Sequence, residues 1–161
     1  MRNNLVADSS FTVTMSYRQI FYHIVFGTKF RIPAIDSNHE HELYKYIWGI
    51  IKNKRCVLYR INGMEEHVHI LSDLHPSVSL ADYIKDIEVA SSLWMKQTGR
   101  FPSFRGWADG YGAFTCSIRE KERITNYIKN QKAHHKTEAF PNEYKRLLAE
   151  NHVAFNEKYS T

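Results

Sequence analysis

Apolar positions along this chain recur with two alternating periods. Residues 18–27 are rich in β-branched and aromatic side chains and apolar on both faces, the signature of a central strand. From Asp36 or Ser37 to about Lys52, the apolar residues Leu43, Ile47, Ile50 and Ile51 form one helical stripe. Residues 55–63 and 67–72 return to strand character, and Asn62-Gly63 is the predicted turn of a hairpin between them. Tyr83, Ile84, Ile87, Ala90, Leu93 and Trp94 then predict a helix over 79–97, begun by Ser79 with Asp82 three positions on and stopped by Gly99. Residues 100–111 read as a loop and 112–118 as a fourth strand. A helix over 120–135 and a last short helix over 142–150 follow. The order β-α-β-β-α-β predicts an α+β, ferredoxin-like (RRM-like) antiparallel sheet with two helices on one face. Its first and third strands form the central pair. C-terminal helical segments lie beyond this plan: one carries Tyr127, and the last is placed to cover the open face.

The 161 residues suit one domain with a real core. That domain is expected over 15–161, with 1–14 a loose leader lacking the pattern of a signal peptide. The formal charge of +5 and nine histidines favour an acidic partner, nucleic acid before an anionic membrane. No apolar run is long enough to span a bilayer. Cys56 and Cys116 each sit in an apolar strand-like stretch and read as buried thiols of a reducing compartment. The expected location is the cytoplasm, at the nucleoid.

The chemistry concentrates at His67-Val68-His69. Alternate strand residues share a face, so the two imidazoles emerge together and make half of a metal site. Gln131 offers an amide oxygen, and Glu65, Glu66, His134 and His135 are further donors. A neutral set of two histidines and a glutamine leaves a cation's charge free to polarise a phosphate oxygen, and nitrogen–oxygen ligation fits Mg or Mn and does not exclude Zn. On a helix, Tyr127 and Gln131 share a face. The same stretch holds Arg119, Lys121, Arg123, Lys129 and Lys132, cations suited to DNA phosphates. A free phenol with a pKa of about 10 is ionised roughly once in a thousand at neutral pH, so a tyrosine nucleophile needs such help. The loop aromatics Phe101, Phe104, Trp107 and Tyr111 read either as a hydrophobic lid or dimer contact, or as a platform for unpaired bases flanked by Arg100 and Arg105.

With these residues in view, the chain resembles the single-tyrosine HUH transposases of small bacterial insertion sequences, the TnpA type, including the relatives associated with repetitive extragenic palindromes (REP). The resemblance runs from Tyr17 onward. It rests on 21–29 (FYHIVFGTK), 66–71 (EHVHIL), 107–117 (WADGYGAFTCS) and 127–131 (YIKNQ) followed by His134 and His135. It implies that His67 and His69 are metal ligands with Gln131 as the third, and that Tyr127 is the nucleophile. It further implies a homodimer that recognises hairpins near element ends and cleaves single-stranded DNA, leaving a 5′-phosphotyrosine and a free 3′-hydroxyl. In such dimers the tyrosine helix can complete the partner's site. Three alternatives remain: a domesticated protein that binds or nicks palindromic repeats, a phosphoesterase using water, and a nucleic-acid-binding module without catalysis.

Overall fold

The computed structural model describes residues 17–156. The predicted leader, 1–14, lies outside the described residues. Four strands, β1 (Phe21–Gly27), β2 (Val57–Met64), β3 (His67–Asp73) and β4 (Gly112–Cys116), form one antiparallel sheet in the order β2-β3-β1-β4. The predicted central pair, β1 and β3, is therefore central. Helices α1 (Glu40–Asn53) and α2 (Leu80–Thr98) cover one face. On it Ile24, Phe26, Val68 and Ile70 pack against Leu43, Ile47 and Ile51 of α1 and Tyr83, Ile84 and Ile87 of α2. Ser79 caps α2 by accepting a hydrogen bond from the Asp82 backbone N–H at 3.1 Å, and Gly99 ends it in the left-handed conformation at φ +69°.

The opposite face is covered by α3 (Lys121–Lys129), α4 (Gln131–His134) and α5 (Phe140–Glu150). Phe21, Leu71 and Cys116 pack against Ile128 of α3, while Val25 and Phe114 pack against Phe140, Leu147 and Leu148 of α5. Strand alternation thus separates the two sides of β3. Val68 and Ile70 face α1 and α2; His67 and His69 face the C-terminal helices. Both cysteines are buried free thiols, and no described helix is long and apolar enough to cross a membrane.

Three expectations need correction. The hairpin does not turn at Asn62-Gly63: both pair with β3, and the reversal comes at Glu65-Glu66. Gly63 is there for another reason. A Cβ at that position would sit 2.0 Å from the His67 carbonyl oxygen, an approach only glycine permits. The helix predicted over 120–135 is broken at Asn130, between α3 and α4. There the Asn62 amide donates to the carbonyls of Ile128 and Lys129, each at 3.0 Å, occupying acceptors that a continuous helix would use. Finally, Phe101, Phe104 and Trp107 are in the core rather than on a surface platform. Trp107 packs edge-on to Phe26 and Phe104, and its indole N–H donates to Ser91 Oγ at 2.9 Å. Burial of that large ring, with its polar edge satisfied, leaves no face for a base.

Candidate metal centre and tyrosine site

The site lies between the middle of β3 and the three C-terminal helices. His67, His69, Gln131 and Glu143 are all fully buried. His67 Nδ1 is 3.0 Å from Glu66 Oε1, and its Nε2 is 3.1 Å from Gln131 Oε1 and 3.5 Å from Glu143 Oε2. His69 Nε2 is 3.1 Å from Glu143 Oε1. On its other side, His69 Nδ1 is 2.9 Å from Nε2 of His23, a β1 residue. This pairing of ring nitrogens holds the orientation of the His69 imidazole.

Glu143 is the hub. Its Oε1 accepts hydrogen bonds from the Gln131 amide, at 3.0 Å, and from the Tyr127 hydroxyl, and its Oε2 contacts His135 Nε2. Several of these contacts are close without being aligned. His69 Nε2, His135 Nε2 and Glu143 Oε2 are buried without a properly directed hydrogen bond. Orphaned buried lone pairs are costly unless something else satisfies them. The ligand atoms of His67, His69 and Glu143 lie within 4.8 Å of one another, as do those of Glu66, His67 and His135. These donors fit a divalent cation.

Tyr127, on α3, is half-buried. Its ring lies edge-on to His69 at 5.9 Å and to His23 at 6.1 Å, and its hydroxyl accepts from Arg146 at 3.0 Å. Arg146, one turn beyond Glu143 on α5, is tied in turn to Glu138 at 2.9 Å. His134 also reaches Glu138, at 2.5 Å.

The electrostatics follow from burial and this one carboxylate. Burial holds His69 down to about 4 against the upward pull of Glu143, and holds His23 down to about 3 with help from His69. Both rings are neutral at pH 7, as metal ligation and its support require. Burial alone would raise Glu143, but His135 and His69 hold it well below the usual carboxylate range. His135 moves the other way: burial lowers it, yet Glu143 and Glu66 bring it above its ordinary value. Burial and then Glu143 raise the Tyr127 phenol, so in this state it keeps its proton.

Of the residues expected to form the site, the fold brings His67, His69, Gln131 and Tyr127 together. The expected DNA-binding residues disperse. Lys129 and Arg119 are exposed, and Arg123 pairs with Glu120 at 3.2 Å. Lys121 stands 3.9 Å over the Tyr59 ring. Lys132 binds Glu40 at 2.6 Å and the Gly63 carbonyl at 2.5 Å. Arg105 folds back to the Pro102 carbonyl at 2.8 Å, and Trp107 belongs to the core. Sequence reasoning missed Glu143, Arg146 and His23. For Glu143 a signal existed: it sits between Phe140 and Leu147 at helical spacing, an acid on an otherwise apolar stripe, which burial does not tolerate without a purpose.

Comparison with known proteins agrees with this fold. A family model described as transposase, IS200-like, matches residues 16–131. The transposase for insertion sequence element IS200 of Salmonella typhimurium is 24% identical over 115 residues, covering 68% of this chain and 75% of that protein. The ISDra2 transposase TnpA of Deinococcus radiodurans is 22% identical over 120 residues, 70% of this chain and 84% of its own. Among solved structures, a Deinococcus radiodurans R1 protein assigned as a transposase superposes with a TM-score of 0.57 at 24% identity, covering 73% of this chain and 95% of that one. A REP-associated tyrosine transposase bound to a REP hairpin gives 0.55 at 12% identity, covering 75% and 74%.

Proposed function

Because the chain belongs to the family of IS200-like transposases, we propose that it cleaves and rejoins single-stranded DNA next to a hairpin, with Tyr127 as nucleophile and a divalent cation, Mg or Mn, at His67 and His69. The observation that carries this reading is convergence: Tyr127 Oη, Gln131 Nε2 and His69 Nε2 all meet Oε1 of Glu143. The His67–Gln131, His67–Glu143 and His69–Glu143 separations of 3.1 to 3.5 Å are close to the roughly 3 Å between neighbouring oxygens or nitrogens on a six-coordinate cation with bonds near 2.1 Å. When bound, the cation supplies Lewis-acid polarisation of a phosphate oxygen.

The chain's own residues do the rest. The Tyr127 oxygen attacks phosphorus, an O–P bond forms to the phenol, and the bond from phosphorus to the 3′-oxygen breaks. The product is a 5′-phosphotyrosine and, once the leaving oxygen gains a proton, a 3′-hydroxyl. Glu143 holds the phenolic hydrogen and orients the oxygen; the phenolic proton passes to solvent as the O–P bond forms, and a solvent proton reaches the leaving 3′-oxygen. Arg146 lies beside the oxygen as charge develops on it. A later 3′-hydroxyl reverses the step and reseals the strand without another energy source. The phenol meets the imidazoles of its own chain, so this reading needs no partner subunit to complete the centre, although a homodimer is compatible with it. A protein of this activity works on chromosomal DNA, in the cytoplasm at the nucleoid.

The sheet face that RNA-binding modules of this topology use for base stacking is covered here by α3, α4 and α5, which disfavours a module without catalysis. The test is incubation with single-stranded hairpin DNA and Mn or Mg, followed by a denaturing gel and mass spectrometry. An adduct on Tyr127, absent in Tyr127→Phe, and cleavage lost in His67→Ala are expected. Cleavage persisting in Tyr127→Phe without an adduct would mean that water is the nucleophile, and binding without cleavage would leave a palindrome-binding protein.

A further inference from the structure

A second surface lies along the edge strand β2 and helix α1. A groove of about 680 Å³ runs between α1 and β2, and Lys132 of α4 is among its lining residues. Along α1, His41, Lys45, Trp48 and Lys52 follow at spacings of four, three and four, so they form one exposed stripe. Trp48 is 51% exposed, and the Lys52 ammonium stands 5.4 Å from its ring centroid. Across the groove lies Arg60, whose Nε is buried and makes no hydrogen bond. The acid in this lining, Glu40, is already paired with Lys132. Among the described residues, Lys45 and Lys52 of α1 and Arg60 of the edge strand β2 are then left without a carboxylate partner around an exposed indole. The residues used here are not those of the basic tyrosine helix.

We propose that this groove holds a single strand of DNA, with an unpaired base against Trp48 and phosphates on Lys45, Lys52 and Arg60. The inference rests on the reading of the chain as a single-strand DNA transferase. A duplex has no free base for the indole, whereas an unpaired strand offers alternating ring faces and charges that match this lining. Lys132 is the lining residue nearest in the chain to the candidate centre. Lys132 follows Gln131 directly, and its ammonium holds the carbonyl of Gly63, which pairs with Val68 between the two histidines.

The test uses the full chain and a fluorescein-labelled oligothymidylate, which has no hairpin, in anisotropy titrations at several salt concentrations. Trp48→Ala is expected to weaken binding about 5- to 150-fold, the range for loss of one stacked base, with Trp48→Tyr retaining most of it. Lys45→Ala and Lys52→Ala are each expected to reduce the slope of log affinity against log salt by about 0.7. Wild-type affinity and slope in all three alanine variants, with unchanged circular dichroism, would overturn the proposal. So would a concentration-dependent change in mass on Trp48→Ala, which would make the groove a contact between copies of the chain. The two readings fail separately. Loss of oligothymidylate affinity with no Tyr127 adduct on hairpin DNA keeps the groove and removes the transferase; an adduct with unaltered variants does the reverse.

Discussion

Tyr127 donates its hydroxyl hydrogen to Oε1 of Glu143, sixteen residues further along the chain. The phenol is thereby tied to the same carboxylate oxygen that stands 3.1 Å from His69 Nε2. One side chain thus links the candidate nucleophile to the candidate metal ligands, and it comes from the last helix.

This makes Glu143 the sharpest place to probe. Glu143→Ala is expected to weaken Mn binding by at least about tenfold in isothermal titration, because a charged oxygen donor leaves the set. Tighter Mn binding in the variant would mean that the carboxylate fills the cation's place rather than completing its shell.

Trp107 is a core residue and its substitution should register as stability. Trp107→Ala is expected to cost about 3–5 kcal/mol in urea denaturation, through cavity formation. Trp107→Phe should cost less, and it leaves Ser91 Oγ without its indole donor, a loss of about 1 kcal/mol. The Phe variant, still folded, should bind oligothymidylate with wild-type affinity; a loss there would return the ring to the DNA surface.

Gly63→Ala forces a methyl group against the His67 carbonyl oxygen, 2.0 Å from where it would stand. The hairpin has to shift, with a destabilisation of about 1–3 kcal/mol in thermal or urea unfolding. His67 moves with it, so Mn affinity should fall in the same variant. Ordinary stability with full metal affinity would show that the strands part at no cost.

Glu88, on α2, offers a pH signature. Burial, with Asp109 adding to it, pushes its carboxyl up from 4.5 to about 7. The folded chain therefore binds this proton more tightly than the unfolded chain does. Its stabilising contribution is complete below about pH 4.5 and is lost as pH rises toward about 7. Glu88→Gln should flatten that part of the stability profile and raise stability at pH 8 by about 1 kcal/mol, a figure reduced for the screening of a partly exposed group. An unchanged profile would refute the assignment.

The order of elements and the central pairing of β1 with β3 were legible from hydrophobic period, because alternation and helical stripes are local properties of the chain. So was the shared face of His67 and His69, which follows from strand geometry alone. The exact turn was not: Asn62-Gly63 has the composition of a reversal, but pairing with Gly63↔Val68 and Met64↔His67 is preferred because Gly63 admits the His67 carbonyl. The break at Asn130 was equally hidden, since the amide that takes the helix carbonyls belongs to Asn62, more than sixty positions earlier.

By itself, then, the amino-acid sequence determined the sheet, its helices, and four residues of the candidate centre: His67, His69, Tyr127 and Gln131. Tertiary structure decided that Glu143 and Arg146 join them, that His23 supports His69, and that Trp107 is withdrawn from the surface. The reason is physical. Periodicity tells which face of an element a residue occupies, whereas the charge environment at a point is a sum over side chains from β1, β3, α3, α4 and α5, and it exists only once those elements have packed.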